Sequence, residues 1–250
     1  MSASKSAAEV KIMTEGGKIL GKILARLLAG TKPGATGLEI EALAQKLIKE
    51  AGGSPSFMTV NRYQYATCIS VNDGVVHGIP TKKPFEEGDL VSIDVGLLYK
   101  GYHTDTSWSI YLVPPEKTEK DTRIVSFLKI GEEVLHFAIS QAQAGNHIGH
   151  ISQAIQTHIE KHGYNVVKTL VGHSIGKSLH EHPQVPGLLT RPIEKTAKLV
   201  PGMTLAIEVI YTMGGSEIIY ANRDGWSLST ADGSLSGLFE ATIVVDEGGP

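Results

Sequence analysis

The chain has 250 residues, 41% of them hydrophobic, and a formal net charge of −3, which supplies a sizeable core and excludes a polyanion-binding composition. Its single cysteine excludes an internal disulfide and agrees with a reducing compartment. No segment reaches the apolar length of a membrane span, and the opening Met1-Ser2-Ala3-Ser4-Lys5 has no signal-peptide apolar stretch, so a cytoplasmic protein is expected.

Apolar residues recur at helical spacing over 8–28, although Gly16, Gly17 and Gly21 weaken the case for an unbroken helix. Thr36-Gly37-Leu38-Glu39 has the form of a capping box and opens a second helix running to about Ala51. Its stripe of Leu38, Ala42, Leu43 and Leu47 reads as core. From Asp89 to Tyr99, Val91, Ile93, Val95 and Leu97 alternate with Ser92, Asp94 and Gly96, the period of a strand with one buried face. Lys100-Gly101 then makes a two-residue loop, and 102–111 returns as a second strand. If Tyr99 pairs with Tyr102, Gly96 lies opposite Asp105 and Asp94 is its diagonal neighbour on the same face. A slip of one residue would separate the two carboxylates, so the inference rests on the loop length.

Pro114-Pro115-Glu116-Lys117 reads as a connector between two halves. Helices are expected over 122–144 and 151–162, followed by a short apolar strand over 166–171 and by strands carrying Glu208 and Glu240. Helix, helix and strands in each half give an α+β architecture, taken as one domain over 1–250 with no visible internal repeat.

Four acidic residues lie within or beside these apolar runs: Asp94, Asp105, Glu208 and Glu240. An ionised carboxylate in a core needs an opposite charge. Lys and Arg are scarce in these segments apart from Lys100 in its turn, so a divalent metal is the natural counter-charge. Gly172-His173-Ser174 follows an apolar run and offers an imidazole, a common ligand of transition metals. With His173 the set comes from well-separated segments, so the site is assembled across the fold.

Asn72-Asp73-Gly74-Val75-Val76-His77-Gly78-Ile79-Pro80, the Asp94 to Asp105 hairpin, Gly172-His173, the Glu208 strand and Gly225-Trp226 with Phe239-Glu240-Ala241-Thr242 together resemble the type I methionine aminopeptidases over almost the whole chain. The resemblance implies a pita-bread fold, pseudo-symmetric αβ halves around an antiparallel sheet. It implies two divalent metal ions (Co, Mn, Fe or Zn) held by Asp94, Asp105, His173, Glu208 and Glu240. Asp105 and Glu240 would bridge the ions, Asp94 would chelate one, and His173 with Glu208 would complete the other. The implied reaction removes the initiator methionine from nascent chains with a small second residue by metal-activated water or hydroxide, with Glu208 also accepting a proton. His77 and His180 match positions that contact the substrate around the scissile bond. Cys68, Tyr63, Tyr65 and Trp226, and more loosely Phe57, match or lie near the methionine pocket.

The implied partners are nascent polypeptide N-termini, with the ribosome a further candidate; direct nucleic-acid binding and a membrane are not expected, and the protein is taken as a monomer. The chain's own Met1-Ser2 would suit the activity. Three departures stand out: Leu179 where many relatives carry a larger aromatic, Ala241 where they often have His, and Ser174 where Gly is usual. These bear on outer-shell tuning, since no ligand is lost. His103, His136, His147, His150, His158, His162 and His182 are read as exposed loop histidines.

Three other readings compete. Gly172-His173-Ser174-Ile175-Gly176 spells the nucleophile elbow G-x-S-x-G, but Pro183 and Pro186 interrupt the helix such an elbow needs, and the histidines downstream, His180 and His182, lie too close. X-Pro aminopeptidases, prolidases and creatinase-like enzymes usually carry an N-terminal domain for which the residues before His77 leave little room. A non-catalytic binding relative would be expected to lose metal ligands, and all five are present.

Overall fold

The computed structural model describes residues 4–250, so Met1 and Ser2, and the expectation about their cleavage, lie outside the described residues. Helix α1, Ala7–Gly30, opens at a capping box in which Ser6 accepts from Glu9 N and Glu9 returns to Ser6 N. It runs unbroken through its glycines. An interior glycine costs about 1 kcal/mol relative to alanine, and burial of Met13, Leu20, Ile23, Leu24 and Leu27 outweighs that. Helix α2, Gly37–Glu50, starts at the predicted Thr36/Glu39 box.

The strands follow in chain order: β1 Ser54–Pro55, β2 Thr67–Val71, β3 Gly74–Val76, β4 Leu90–Tyr99 and β5 Tyr102–Tyr111. Helix α3 is Glu119–Ser140 and α4 is Ile148–Lys161. The second half continues with β6 Asn165–Val166, β7 Val171–Ser174, β8 Glu181–Pro186, β9 Thr204–Thr212, β10 Ile218–Tyr220, β11 Leu228–Thr230 and β12 Ser236–Val244. The main sheet has the order β1-β4-β5-β12-β9-β7-β8, with β2 also on β4 and β6 also on β9; β10-β11-β3 form a small second sheet. The paired strands are antiparallel.

Period-2 alternation decides which side of the main sheet each residue faces. Val91, Ile93, Val95 and Leu97 pack under α1 and α2 with Leu20, Leu24, Leu27, Ile40 and Ile48. In the second half Leu205, Ile207, Val209, Tyr211 and Phe239 pack under α3 and α4 with Phe127, Leu135, Ile151 and Ile155. These are the two αβ halves expected from the resemblance. The helices occupy one face of the sheet, so Asp94, Glu208 and Glu240, of opposite parity, point to the other.

Three expected boundaries differ. Helix α3 begins at a capping box between Thr118 and Asp121 and stops at Ser140 instead of 144, where the chain turns through Gly145 at φ +94. Helix α4 begins three residues early, at Ile148. The apolar run 166–171 is two strands, not one: Val166 pairs with Tyr211 while His173 pairs with Ala206. Residue numbers across these pairs shift register by two, so the intervening residues bow out of the sheet.

Candidate metal centre

The predicted hairpin register holds, with Tyr99 opposite Tyr102 and Gly96 opposite Asp105. From it follow two rows of residues across the sheet. In the first, Asp94 faces Ser107, Ser107 faces Glu240, and Glu240 faces Glu208. In the second, Gly96 faces Asp105, Asp105 bonds Thr242 through its N–H at 2.8 Å, Thr242 faces Ala206, and Ala206 faces His173. The rows are two residues apart, so the four carboxylates and the imidazole project from one face of four adjacent strands and β7. Gly96 leaves space that a side chain would deny: a Cβ there would fall 2.6 Å from Ser56 Cβ and 2.8 Å from Phe57 Cε1.

Ligand atoms of Asp105, His173 and Glu240 lie within 4.8 Å of one another, and all three residues are buried. His173 Nε2 stands 3.7 Å from Glu208 Oε1. Ser107 Oγ donates to Glu240 Oε2 at 2.8 Å, and Thr106 N donates to Asp105 Oδ1 at 3.0 Å. Asp94 Oδ1 and Glu240 Oε1 are buried without a partner among the described residues. Glu41 shows what a satisfied buried carboxylate looks like: it accepts from Ala66 N at 2.8 Å, Thr67 N at 2.9 Å and Thr67 Oγ1 at 2.5 Å. The four site carboxylates have no such donor set and no Lys or Arg ion pair among the described residues.

Electrostatics agree. Burial pushes Asp94 up to about 7. Burial, then the charges of Asp94 and Glu208, push Asp105 well above the usual carboxylate range; burial and Asp94 do the same to Glu208. Glu240 is raised by burial, then by Asp105, Glu208 and Asp94. His173 is pushed down to about 4 by burial and by His180, and His77 and His180 are also lowered by burial. Neutral imidazoles cannot balance the acids. His173 Nδ1 lies 3.0 Å from Ser174 O, an acceptor only, so Nδ1 carries the proton and Nε2 keeps its lone pair. Orphaned carboxylate oxygens, crowded negative charge and a free imidazole nitrogen fit divalent cations bound by oxygen and nitrogen.

These residues form the floor of a cavity of about 140 Å³ walled by Phe57, Val60, Tyr63, Cys68, Val76, His77, Leu179, His180, Trp226 and Leu238. Trp226 meets Tyr63 edge-on, centroids 5.0 Å apart. Its loop is held by Asp224, which accepts from Trp226 N at 2.7 Å and Ser227 Oγ at 2.6 Å, while Ser227 Oγ accepts from Ile79 N at 3.2 Å. Tyr63 gives its hydroxyl proton to Thr67 O at 2.8 Å, so the Cys68 thiol, 3.1 Å away, is the donor to Tyr63; burial pushes that thiol up and keeps it protonated. His77 has φ +56, a left-handed conformation that is uncommon for a non-glycine residue and clusters at functional sites.

Tyr65 is not on the cavity wall: it packs behind Tyr63, ring centroids 5.8 Å apart. His103 is not an exposed loop residue but lies buried on β5, its Nδ1 2.6 Å from Ser56 Oγ. His136, His147, His150, His158 and His162 belong to α3 and α4 or their ends, and none of them lines the cavity. Val60, Val76 and Leu238 were missed. Leu238 was available from parity with Glu240, whereas Val60 carries no signal. Ser174 is fully buried with an unpartnered Oγ, and the residues after it form a loop and then β8, not a helix, so the elbow reading fails. A larger cavity, about 670 Å³, lies between α4 and β8 and holds no carboxylate among its lining residues.

The family model described as metallopeptidase family M24 matches residues 11–247. Methionine aminopeptidase 1 of Bacillus subtilis is 37% identical over 98% of this chain and 96% of its own length. The methionine aminopeptidase of Aquifex aeolicus is 33% identical over 98% of this chain and 95% of its own. Among solved structures, the methionine aminopeptidase of Thermotoga maritima superposes with a TM-score of 0.93 at 36% identity, covering 100% of this chain and 97% of that one. The prolidase of Pyrococcus furiosus gives 0.75 at 23% identity over 98% of this chain and 63% of that one, a likeness of fold alone.

Proposed function

The chain belongs to metallopeptidase family M24, and from that premise we infer that it is a methionine aminopeptidase, a hydrolase that removes the N-terminal methionine from nascent proteins and peptides with a small second residue. The observation that carries the metal-dependent chemistry is the row Asp94, Ser107, Glu240, Glu208, with Asp105 and His173 one row below. We assign Asp94, Asp105, His173, Glu208 and Glu240 as the residues that would hold two divalent ions. Bound there, ions such as Mn, Fe, Co or Zn would neutralise the acids, activate water and polarise the scissile carbonyl.

The remaining steps belong to the protein's own groups. A Glu208 carboxylate oxygen takes the proton released by the attacking water. His77 and His180, kept neutral by burial, each offer a ring N–H to the scissile carbonyl or the departing amide without bringing a competing positive charge. Cys68, Tyr63, Trp226 and Phe57 wall a pocket for the methionine side chain and exclude water from it. Residues 1–250 act as one catalytic domain. No helix among the described residues is long and apolar enough to cross a membrane, and we place the protein in the cytoplasm as a monomer acting on nascent chains, with the ribosome a candidate contact.

Metal-stripped protein should release no methionine from Met-Ala-Ser and should regain that activity with Mn, Fe(II), Co or Zn, while sparing Met-Lys peptides, Ala-Pro and a simple ester. Metal-dependent cleavage of Ala-Pro would instead favour a proline-specific enzyme, and metal-independent ester hydrolysis would refute the metal mechanism.

A further inference from the structure

We propose that Lys5 is a positioning residue for His180, an inference that rests on reading His180 as a substrate-contacting group. His180 and Leu179 both line the cavity. Yet the His180 side chain makes no hydrogen bond among the described residues, and its ring contact is with His173, centroids 4.5 Å apart and near perpendicular. Its place is therefore set by the backbone that carries it.

That backbone, between Ser174 and Glu181, lies in neither helix nor strand; it is closed by the pairing of Ser174 with Glu181 and by Gly176 N donating to Ser178 O, and is held further by contacts from outside. At its start, Ile175 N donates to Thr204 O at 3.1 Å and His103 N donates to Gly176 O at 2.7 Å. At its end, the residue after His180 is held by an ammonium: Lys5 Nζ donates to Glu181 Oε2 at 2.6 Å, with side chains 5% and 21% exposed. Glu181 also accepts from Ser178 N at 3.2 Å, closing the loop on itself. Lys5 is delivered by its own backbone, whose N–H donates to Gly202 O at 2.7 Å one residue before Ser6 caps α1. The lysine stem also fills the hollow under the loop. A Cβ on Gly176 would stand 2.3 Å from Lys5 Cε and 2.7 Å from its Nζ, so the head of the lysine lies directly against the loop backbone.

Removing one partner of a buried pair strands the other charge. Here the stranded group would be Glu181, bonded in sequence to His180, so the loop relaxes at the point where the histidine is attached.

The test uses metal-loaded protein as wild type, Lys5→Met, Lys5→Arg, Glu181→Gln, His180→Ala and Lys5→Met with His180→Ala. Turnover of Met-Ala-Ser is measured well below each variant's melting temperature. Ring-to-ring NOEs between His173 and His180 are recorded on the zinc form, which reads positioning without activity. Lys5→Met and Glu181→Gln should each lower kcat about tenfold, a fraction of what a proton-donating group contributes, with KM changed less than about twofold. Both should lose the NOE, and Lys5→Arg should restore it. In the His180→Ala background, Lys5→Met should cause no further loss, because the two act as one unit. Retention of kcat and of the NOE in Lys5→Met and Glu181→Gln would overturn the proposal, as would a full additive loss on top of His180→Ala. If wild type releases no methionine with any metal, the functional reading fails and the NOE alone decides the role of Lys5.

Discussion

Glu240 and Glu208 sit directly opposite each other on β12 and β9, side chains on the same face. Like charges at opposed positions destabilise a sheet, and here Asp94 and Asp105 crowd the same spot, with partnerless oxygens on Asp94 and Glu240. Packing of α3 and α4 against the other face holds these strands in register regardless. The scaffold therefore forces together groups that repel one another, and the cation proposed to bind there would turn that repulsion into attraction. On the proposed metal chemistry, stability and function pull in opposite directions at this row.

Glu240→Gln removes one of the opposed charges while keeping shape. Metal-stripped Glu240→Gln should melt higher than stripped wild type, by about 1 kcal/mol of relieved repulsion. Wild type should gain further stability as Mn or Zn is added, in proportion to the logarithm of free metal over its Kd, and the variant should gain far less. Calorimetry of the two proteins across a metal titration checks both halves. A stripped variant less stable than stripped wild type would remove the argument from repulsion.

Metal-free protein should lose stability as pH rises from about 6.5 to 8. Asp94 is lifted to about 7 by burial, and Asp105, Glu208 and Glu240 are lifted well above the usual carboxylate range by burial and mutual charge. Unfolded carboxyls release their protons near pH 4, so in this window the folded chain binds more protons than the unfolded one and stability falls with pH. Below about pH 6.5 the slope is opposed, because His173, His77 and His180 are lowered and bind protons more readily when unfolded. With metal bound the trend above pH 6.5 should vanish or reverse, since metal competes with protons for the same atoms. Thermal melts with and without chelator at three pH values read the sign directly.

Much of this site was legible because a strand's side chains alternate. Val91, Ile93 and Val95 on one face put Asp94 on the other, and a two-residue loop at Lys100-Gly101 fixed Asp105 beside it. The same parity reads from Ile207 and Val209 for Glu208. Where local pattern is silent, expectation failed: 166–171 reads as one short run even with Lys168 and Thr169 inside it, and only its pairing with β9 shows that it is two strands. His103 was misjudged because its burial depends on Ser56, 47 residues away. The contact between Lys5 and Glu181 spans 176 residues, and the left-handed backbone of His77 is a tertiary property; neither has any local signature.

Ser107 stands in the carboxylate row without being among the proposed ligands. Its Oγ is fully buried and donates to Glu240 Oε2, so it orients that carboxylate and leaves Oε1 open. Outer-shell partners of this type are worth about 10- to 100-fold in metal affinity. Ser107→Ala should weaken metal binding by that order in calorimetric titration and be rescued at high metal. Asp105→Ala, which deletes a proposed ligand, should show no turnover at any metal concentration. A Ser107→Ala protein with unchanged affinity would mean that the Glu240 carboxylate is oriented by other groups.

Leu179 lies on the wall of the cavity proposed to take the methionine side chain. It is buried beside Cys68, Tyr63 and Phe57 on the cavity wall, where the family resemblance leads to the expectation of a larger aromatic. A leucine there leaves room beyond a methionine thioether, so wild type should accept the ethyl thioether analogue, ethionine, almost as well as methionine. Leu179→Phe would fill that room. One methylene in an apolar pocket is worth about 1–3 kcal/mol of discrimination, so the ratio of kcat/KM for Met-Ala-Ser over the ethionine peptide should rise about tenfold or more in the variant. His180 is the next residue, so kcat for Met-Ala-Ser itself is measured alongside to separate a changed pocket from a displaced loop. An unchanged ratio with unchanged kcat would place Leu179 outside the methionine pocket, whatever its contacts with Cys68 and Tyr63.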